Sequence, residues 1–137
     1  MTLCDAGPMV AMVDRDDPYH ERCAAALVSL SPDTFVTTWP CLTEAMYLLG
    51  RRYGYVGQNT LWSHVVDGLI RLYDPEEGEW ERVRILMQTY RDTPMDFADA
   101  SLVVAAERLK LGRVFTTDKH FYAYRLFGGG FFDVLSA

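Results

Sequence analysis

The sequence predicts an α/β fold in which one parallel β-sheet lies between two layers of helices. Short β-rich runs alternate with segments of helical periodicity along most of the chain, a pattern typical of right-handed βαβ crossovers. The 137 residues fit a single domain, 1–137. Half of them are apolar and 23% are charged, which is ordinary globular composition and excludes a disordered chain.

The first half of the chain alternates strand and helix candidates whose ends are marked by Pro, Gly or Asp. The apolar positions of each helix candidate recur at a spacing of three or four residues, so each has one face for a core. In chain order we expect a strand at 2–4, helices over 6–13 and from Pro18 through Leu30, a turn at 31–33, a strand at 34–38, and helices over 40–53 and 58–69.

The second half continues the alternation. We expect a strand at 70–73, helices over 76–90 and 98–109, a strand at 114–117, a glycine turn at 128–130 and a last strand at 131–135. The helix over 98–109 is apolar almost all round until Glu107. It is therefore expected to be central and buried.

The net charge of −6 argues against broad electrostatic binding to nucleic acid. Cys4, Cys23 and Cys41 form no C-x-x-C pair, so we expect reduced core residues in a cytoplasmic protein. No apolar run approaches the roughly 20 residues of a membrane-spanning helix. The first residues lack the basic start of a secretory signal.

Two acids follow predicted strands directly. Asp5 comes after the strand at 2–4, and Asp118 comes after the strand at 114–117. In open parallel sheets, ligands bind in the crevice at the carboxyl ends of the strands. Both acids are therefore predicted at the functional edge of the sheet.

Three further acids are predicted near the same edge. Asp96 and Asp99 stand three residues apart at the start of the buried helix, which places them on one helical face. Glu44 falls in the first turns of the helix after the strand at 34–38. Its neighbours at helical spacing are Cys41 and Leu48, so we expect it to flank the apolar stripe rather than to point cleanly to water.

Carboxylates that converge in this way either take up protons or bind a cation. Oxygen ligands suit Mg²⁺ or Mn²⁺ and disfavour zinc, and the histidines and cysteines lack the spacing of zinc ligands. Metal-assisted cleavage of a phosphodiester is the chemistry that such a site serves best. Taken singly, however, each aspartate is better explained as a helix cap and Glu44 as a surface residue, and only their convergence favours a metal site. The residues alone leave both interpretations open.

Four segments carry a resemblance to a known family. LCDAGPMVAMVDRDDPYHERC, LTEAMYLL, MDFADASLVVAAERL and VFTTDKHF follow one another from Leu3 to Phe121. Together they resemble the PIN-domain family, in particular its VapC-type toxins. The most specific part is DxxDASLxxxAERL followed by TxDxxF.

The resemblance implies a role for each matched position. The implied catalytic and metal-binding acids, all intact, are Asp5, Glu44, Asp99 and Asp118, with Asp96 as an additional ligand and Thr116 as a supporting hydroxyl. The family further implies a three-layer α/β/α fold, a Mg²⁺- or Mn²⁺-dependent ribonuclease, a homodimer, and inhibition by a small cognate antitoxin protein.

The leading hypothesis is therefore an endoribonuclease that is the toxin of a type II toxin–antitoxin pair. One alternative is a PIN-type RNA-processing nuclease without an antitoxin, and another is a non-catalytic acidic binding module whose carboxylates serve as caps. No residue can be assigned to RNA binding, and the RNA that is cut cannot be identified from the sequence. Because no broad basic face is expected, metal-free protein should bind RNA weakly.

Overall fold

The computed structural model describes residues 1–29, 34–126, 130 and 132–136, and in these ranges the chain forms five strands and six α-helices. In chain order they are β1 (Thr2–Cys4), α1 (Ala6–Val13), α2 (His20–Ser29), β2 (Phe35–Thr38), α3 (Trp39–Tyr53), α4 (Tyr55–Val66), β3 (Ile70–Tyr73), α5 (Glu79–Thr89), α6 (Phe97–Leu109), β4 (Arg113–Thr116) and β5 (Asp133–Ser136). A short 3₁₀-helix, Lys119–Tyr122, follows β4.

The five strands form one parallel sheet with the order β3-β2-β1-β4-β5. Leu3 of β1 is in register with Val36 of β2 on one side and with Val114 of β4 on the other. A parallel sheet needs helices over both faces, and the helices between the strands supply them. The predicted three-layer α/β/α fold is confirmed.

The hydrophobic core lies on both faces of the central strands. Leu3, Phe35 and Phe115 are almost completely buried, and the last two stack with ring centroids 5.9 Å apart. Helix α6 is buried from Ala98 to Ala106 apart from Ser101, as its apolar sequence predicts. This burial fixes the start of α6 against the sheet.

Two glycines explain why helices begin where the sequence pattern does not place them. Helix α4 begins at Tyr55 rather than at 58, because Gly54 has a φ of 65° and separates it from α3. Gly57 lies inside α4, where a Cβ would stand 2.9 Å from the Cβ of Tyr53. Helix α5 begins at Glu79 rather than at 76, after Gly78 with a φ of 94°.

Other helix and strand ends differ by one to three residues. Helix α2 starts at His20, and α4 ends at Val66. The last strand starts at Asp133. The expectations for Leu30, for the turn at 31–33 and for the glycines at 128–129 lie outside the described residues.

The three cysteines are free and buried. Burial raises the pKa of the Cys4 and Cys41 thiols well above the usual value, so these groups are poor nucleophiles. In the described part of the chain, no helix combines the length and the apolar character that crossing a bilayer requires.

Candidate active site

The order of the strands creates a crevice between β1 and β4. From β1 the chain builds β2 and β3 on one side of the sheet, and β4 and β5 then lie on the other side. Such a reversal opens a crevice at the carboxyl ends of the two strands. Asp5 follows β1, and Asp118 stands two residues beyond β4. The topology therefore brings these two acids to one place.

Asp5 is held by hydrogen bonds at both carboxylate oxygens. Its Oδ1 accepts from the backbone N–H of Ala6 at 2.8 Å, which caps α1. Its Oδ2 accepts from the hydroxyl of Thr116 at 2.7 Å. The backbone N–H of Asp5 donates to the carbonyl of Phe115 at 3.0 Å. The carboxylate is buried, with 8% of the residue exposed, and its orientation is fixed from two strands.

Asp99 lies in the first turn of α6 and is also buried. Its Oδ2 accepts a hydrogen bond from the hydroxyl of Tyr124 at 3.0 Å. The ring of Tyr124 packs edge-on against Tyr90 and Phe121, each with centroids 5.1 Å away. Sequence reasoning does not find Tyr124, because nothing in its local pattern separates it from the other tyrosines of a chain with eight of them.

Asp96 and Asp118 both act as caps. Asp96 Oδ1 accepts from the backbone N–H of Asp99 at 2.8 Å at the start of α6. Asp118 Oδ1 accepts from the backbone N–H of His120 at 2.9 Å, and the imidazole Nδ1 of His120 lies equally close to it. With Asp5, three of the acids thus make the bonds that a purely structural role requires. Each of these caps involves Oδ1, and a carboxylate has a second oxygen that can accept from elsewhere.

Glu44 is exposed. It lies on the solvent side of α3, next to the buried residue Ala45 and one turn after the buried Cys41. Cys41 itself points inward, with its Sγ 3.8 Å from Asp5 Oδ1. Although the residue is exposed, desolvation by its surroundings is the main cause that raises the pKa of its carboxyl, and the charges of other acids of the site raise it further. The expectation that Glu44 does not point cleanly to water is therefore not contradicted.

The five acids Asp5, Glu44, Asp96, Asp99 and Asp118, called the acid cluster below, repel one another. Burial is the main cause that raises the pKa of Asp5, Glu44 and Asp99, and neighbouring carboxylates of the cluster raise it further. The pKa of Asp99 reaches about 7. The hydrogen bonds from Thr116 and Ala6 lower the pKa of Asp5 and offset part of its rise.

The acid cluster fits a hard cation in charge and in donor type. Within the described residues, no Lys or Arg forms an ion pair with any of its members, and the one basic side chain in contact is His120 beside Asp118, so most of their mutual repulsion is not neutralised by the protein. All its donors are carboxylate oxygens, which Mg²⁺ and Mn²⁺ prefer. As the described side chains stand, however, no three His, Cys, Asp or Glu residues are close enough to hold a metal ion. A cation held by three of these groups therefore requires some side chains to rotate, whereas Mg²⁺ held by one or two carboxylates keeps several of its waters.

Comparison with known proteins connects this arrangement to a family. No family model matches the chain. It is 28% identical over 134 residues to ribonuclease VapC26 of Mycobacterium tuberculosis, and the alignment covers 97% of this chain and 98% of the relative.

A solved structure shares the fold. The crystal structure of Mycobacterium tuberculosis VapC20, described as a sarcin–ricin loop cleaving toxin, superimposes with a TM-score of 0.75 at 17% identity, over 86% of this chain and 92% of VapC20. The full-length sequence likeness and the shared fold agree with the motifs on which the resemblance rests. The chain is therefore similar over almost its whole length to a VapC ribonuclease, and it shares the fold of the VapC20 toxin.

Proposed function

We propose that this protein is an endoribonuclease that hydrolyses RNA phosphodiesters with Mg²⁺ or Mn²⁺ and that acts as the toxin of a type II toxin–antitoxin pair. The observation that carries the proposal is the convergence of the acid cluster on the crevice between β1 and β4, without an ion pair to Lys or Arg among the described residues. The full-length similarity to a ribonuclease supports the choice of RNA as substrate.

In the proposed site, Asp5, Asp99, Asp118 and Glu44 would hold one or two metal ions, with Asp96 as a further ligand or as a support behind the ligands. Bound Mg²⁺ or Mn²⁺ would supply Lewis-acid polarisation of the scissile phosphate and would acidify a water that could act as nucleophile. The protein contributes positioning, which is worth about 10–100-fold where partners orient metal ligands. Thr116 and the N–H of Ala6 hold the two oxygens of Asp5, and Tyr124 holds Asp99.

The proposed partners rest on the family resemblance of the sequence motifs. They are an RNA substrate in the cytoplasm, a small cognate antitoxin protein and a second copy of the chain in a homodimer. A short open reading frame with a DNA-binding pattern directly upstream would support the toxin assignment. Its absence would favour an RNA-processing nuclease without an antitoxin.

The decisive experiment compares RNA cleavage by wild-type protein, Asp5→Asn and Asp99→Asn with added Mg²⁺ or Mn²⁺. Both substitutions keep the size of the side chain and remove its charge. We expect each to lower cleavage by more than about 100-fold, since even the partners behind metal ligands are worth 10–100-fold. Asp92→Asn, an exposed acid outside the cluster, is the matched control. Cleavage at the wild-type rate by both cluster variants would refute the metal site.

One observation favours a second candidate, a non-catalytic acidic binding module. Asp5, Asp96 and Asp118 all make helix-capping hydrogen bonds, and capping alone would explain their positions. A titration with Mg²⁺ or Mn²⁺ separates the two functions, because a ligand that binds only the folded protein raises its Tm. A rise in Tm together with cleavage supports the nuclease, and the absence of both supports the binding module.

A further inference from the structure

We propose that an aromatic groove beside the acid cluster binds unpaired bases of the RNA substrate, next to the phosphate that is cleaved. This inference rests on the proposed function and adds a binding subsite to it. The groove lies between α3, α5 and the start of α6 and has a volume of about 650 Å³. Its lining includes Trp39, Tyr47, Trp80 and Phe97, together with Glu44 and Asp96.

The four aromatic side chains are available to a ligand. Each of these residues is between 44% and 60% exposed, although burying a large aromatic side chain stabilises the folded protein. Two of the three tryptophans of the chain are among them. Single exposed apolar residues are normal on a protein surface, whereas a group of aromatic residues in one groove indicates a binding site.

Two contacts hold rings of the groove in place. The indole Nε1–H of Trp39 donates to Asp74 Oδ1 at 2.7 Å, so its donor is already satisfied and the faces of the ring remain for a ligand. The guanidinium of Arg51 lies 5.8 Å from the centroid of the Tyr47 ring, a cation–π contact. Rings that are fixed before binding lose less entropy when a ligand stacks on them.

The groove and the acid cluster share two residues. Glu44 and Asp96 line the groove, and both are members of the acid cluster, in which the charge of Asp96 raises the pKa of Glu44. An RNA strand with a phosphate at the acid cluster therefore has its neighbouring nucleotides at the groove. A peptide would also cover the rings. An RNA strand fits the groove better, because the groove adjoins the acid cluster and an RNA strand also has a phosphate to place there.

The charge of the groove favours bases over phosphates. Among the described residues that line it there is no Lys or Arg, and Arg51 beside it is in contact with the ring of Tyr47, so the groove offers little to the RNA backbone. With a net charge of −6, the protein gains little from phosphate contacts. Stacking on aromatic side chains is neutral, tolerates any base, and strengthens binding by about five- to 150-fold per base.

The first test uses tryptophan fluorescence. Wild-type protein is titrated with a pool of short random-sequence single-stranded RNA, with Ca²⁺ in place of Mg²⁺ to slow cleavage, and then with an abasic strand of the same length. We expect the RNA to quench the emission and the abasic strand to leave it nearly unchanged. Trp80→Ala should bind the RNA about five- to 150-fold more weakly, and Trp80→Phe, which retains a ring, should bind with intermediate affinity.

Trp62→Ala is the matched control, because Trp62 is an exposed tryptophan of α4 that lies outside the groove. Its affinity for RNA should equal that of the wild type. Equal quenching by the abasic strand would overturn the inference. So would a Trp80→Ala variant that binds RNA as tightly as Trp62→Ala while its Tm matches the wild type.

Cleavage assays separate this inference from the proposed function. With Mg²⁺ or Mn²⁺, Trp39→Ala and Trp80→Ala should raise the KM for single-stranded RNA. If wild-type protein cleaves RNA and both variants keep its KM, the groove is not a base-binding site and the proposed function stands. If wild-type protein cleaves no RNA but is quenched only by strands with bases, the proposed function fails and base binding stands.

A protein occupant is the remaining outcome. If both groove variants elute at a smaller mass than the wild type in size-exclusion chromatography and keep its KM for RNA, the groove is an interface between protein chains and the inference is overturned.

Discussion

Tyr124 donates a hydrogen bond to Asp99 from within the core, and we expect this contact to position Asp99 for metal binding. Tyr124→Phe keeps the ring packed against Tyr90 and Phe121 but removes the donor. Because the lost bond favours the charged carboxylate, the pKa of Asp99 should rise further. The acid limb of the pH profile of kcat/KM should then move to higher pH, with a loss of about 10–100-fold at neutral pH.

A structural role alone would not move that limb. Tyr122→Phe is the control, since Tyr122 is an exposed neighbour on the 3₁₀-helix and should leave the profile unchanged. An acid limb at the wild-type pH in Tyr124→Phe would show that the contact does not tune Asp99.

The raised pKa of Asp99 also makes metal-free stability depend on pH. Its folded-state pKa is about 7, whereas an unperturbed Asp titrates near 3.9. Between these values the folded state binds more protons than the unfolded state. The free energy of unfolding should therefore fall as the pH rises from about 4 to about 7, and then level off. The lowered pKa of Asp14 acts in the opposite direction, but only in a more acidic range.

Urea unfolding in the presence of a chelator, at several pH values, measures this slope. Asp99→Asn should make it shallower and should stabilise the protein at pH 7 and above. Mg²⁺ added to the wild type should restore stability in the same range. A constant or rising stability between pH 4 and 7 would contradict the repulsion that we infer within the acid cluster.

At the scale of single residues, the sequence predicts side-chain contacts at the ends of strands. It misses contacts made by residues in segments without regular secondary structure. Thr116 could be named as a supporting hydroxyl because the TxDxxF motif resembles that of the PIN-domain family, and its hydroxyl does bond to Asp5. Tyr124 could not be named, because its partner Asp99 is 25 residues earlier in the chain and no periodic pattern connects the two. The catalytic roles of all these residues remain predictions.

At the scale of elements, the start of α6 allows capping and metal binding to be separated. Asp96 caps the helix through Oδ1. Asn caps about as well as Asp, whereas Ala costs about 1 kcal/mol of stability. Asp96→Ala should therefore unfold at lower urea concentration, while Asp96→Asn should keep most of the stability of the wild type. If Asp96 is also a ligand, both variants should bind Mn²⁺ more weakly in calorimetry.

The outcome for Asp96→Asn decides between the two roles. Wild-type affinity for Mn²⁺ in this variant would assign Asp96 to the helix cap alone. Reduced affinity with unchanged stability would assign it to the metal site as well.

Helix positions could be predicted from sequence more closely than helix ends. The apolar stripe of α1 predicts its observed range, Ala6–Val13. For α4 and α5, the first residue is set by the positive φ of Gly54 and Gly78, and Trp80, which the helical spacing predicts on the apolar face of α5, is exposed. The φ of a glycine cannot be read from the sequence. Gly57, for example, is an ordinary helical residue, at a position where a Cβ would be too close to Tyr53.

At the scale of the whole molecule, the site depends on the order of the strands in the sheet, which no local sequence pattern determines. Alternating strands and helices predict a parallel sheet, and a parallel sheet predicts that Asp5 and Asp118 share an edge. The strand order β3-β2-β1-β4-β5 is what makes β1 and β4 neighbours and opens the crevice between them. That order results from how the helices pack in three dimensions, so only the structure supplies it.

The charge of the molecule predicts how RNA binding responds to salt. Several arginines are already engaged with acids, as in Arg82–Glu107, Arg108–Glu76 and Arg52–Asp14, and the net charge is −6. If base stacking and a metal ion provide most of the affinity, few phosphates are neutralised by side chains. Each such contact contributes about −0.7 to the slope of log K against log salt for single strands, so we expect a slope shallower than about −1.5.

Fluorescence titrations of short single-stranded RNA at several salt concentrations, with Ca²⁺ present, give this slope. Removing the cation with a chelator should weaken binding, because the acid cluster then repels the phosphate beside it. A slope near −4, which corresponds to about six phosphate contacts, would contradict the prediction. So would tight binding without metal at moderate salt, since the affinity would then come from a basic surface that the charge of this chain argues against.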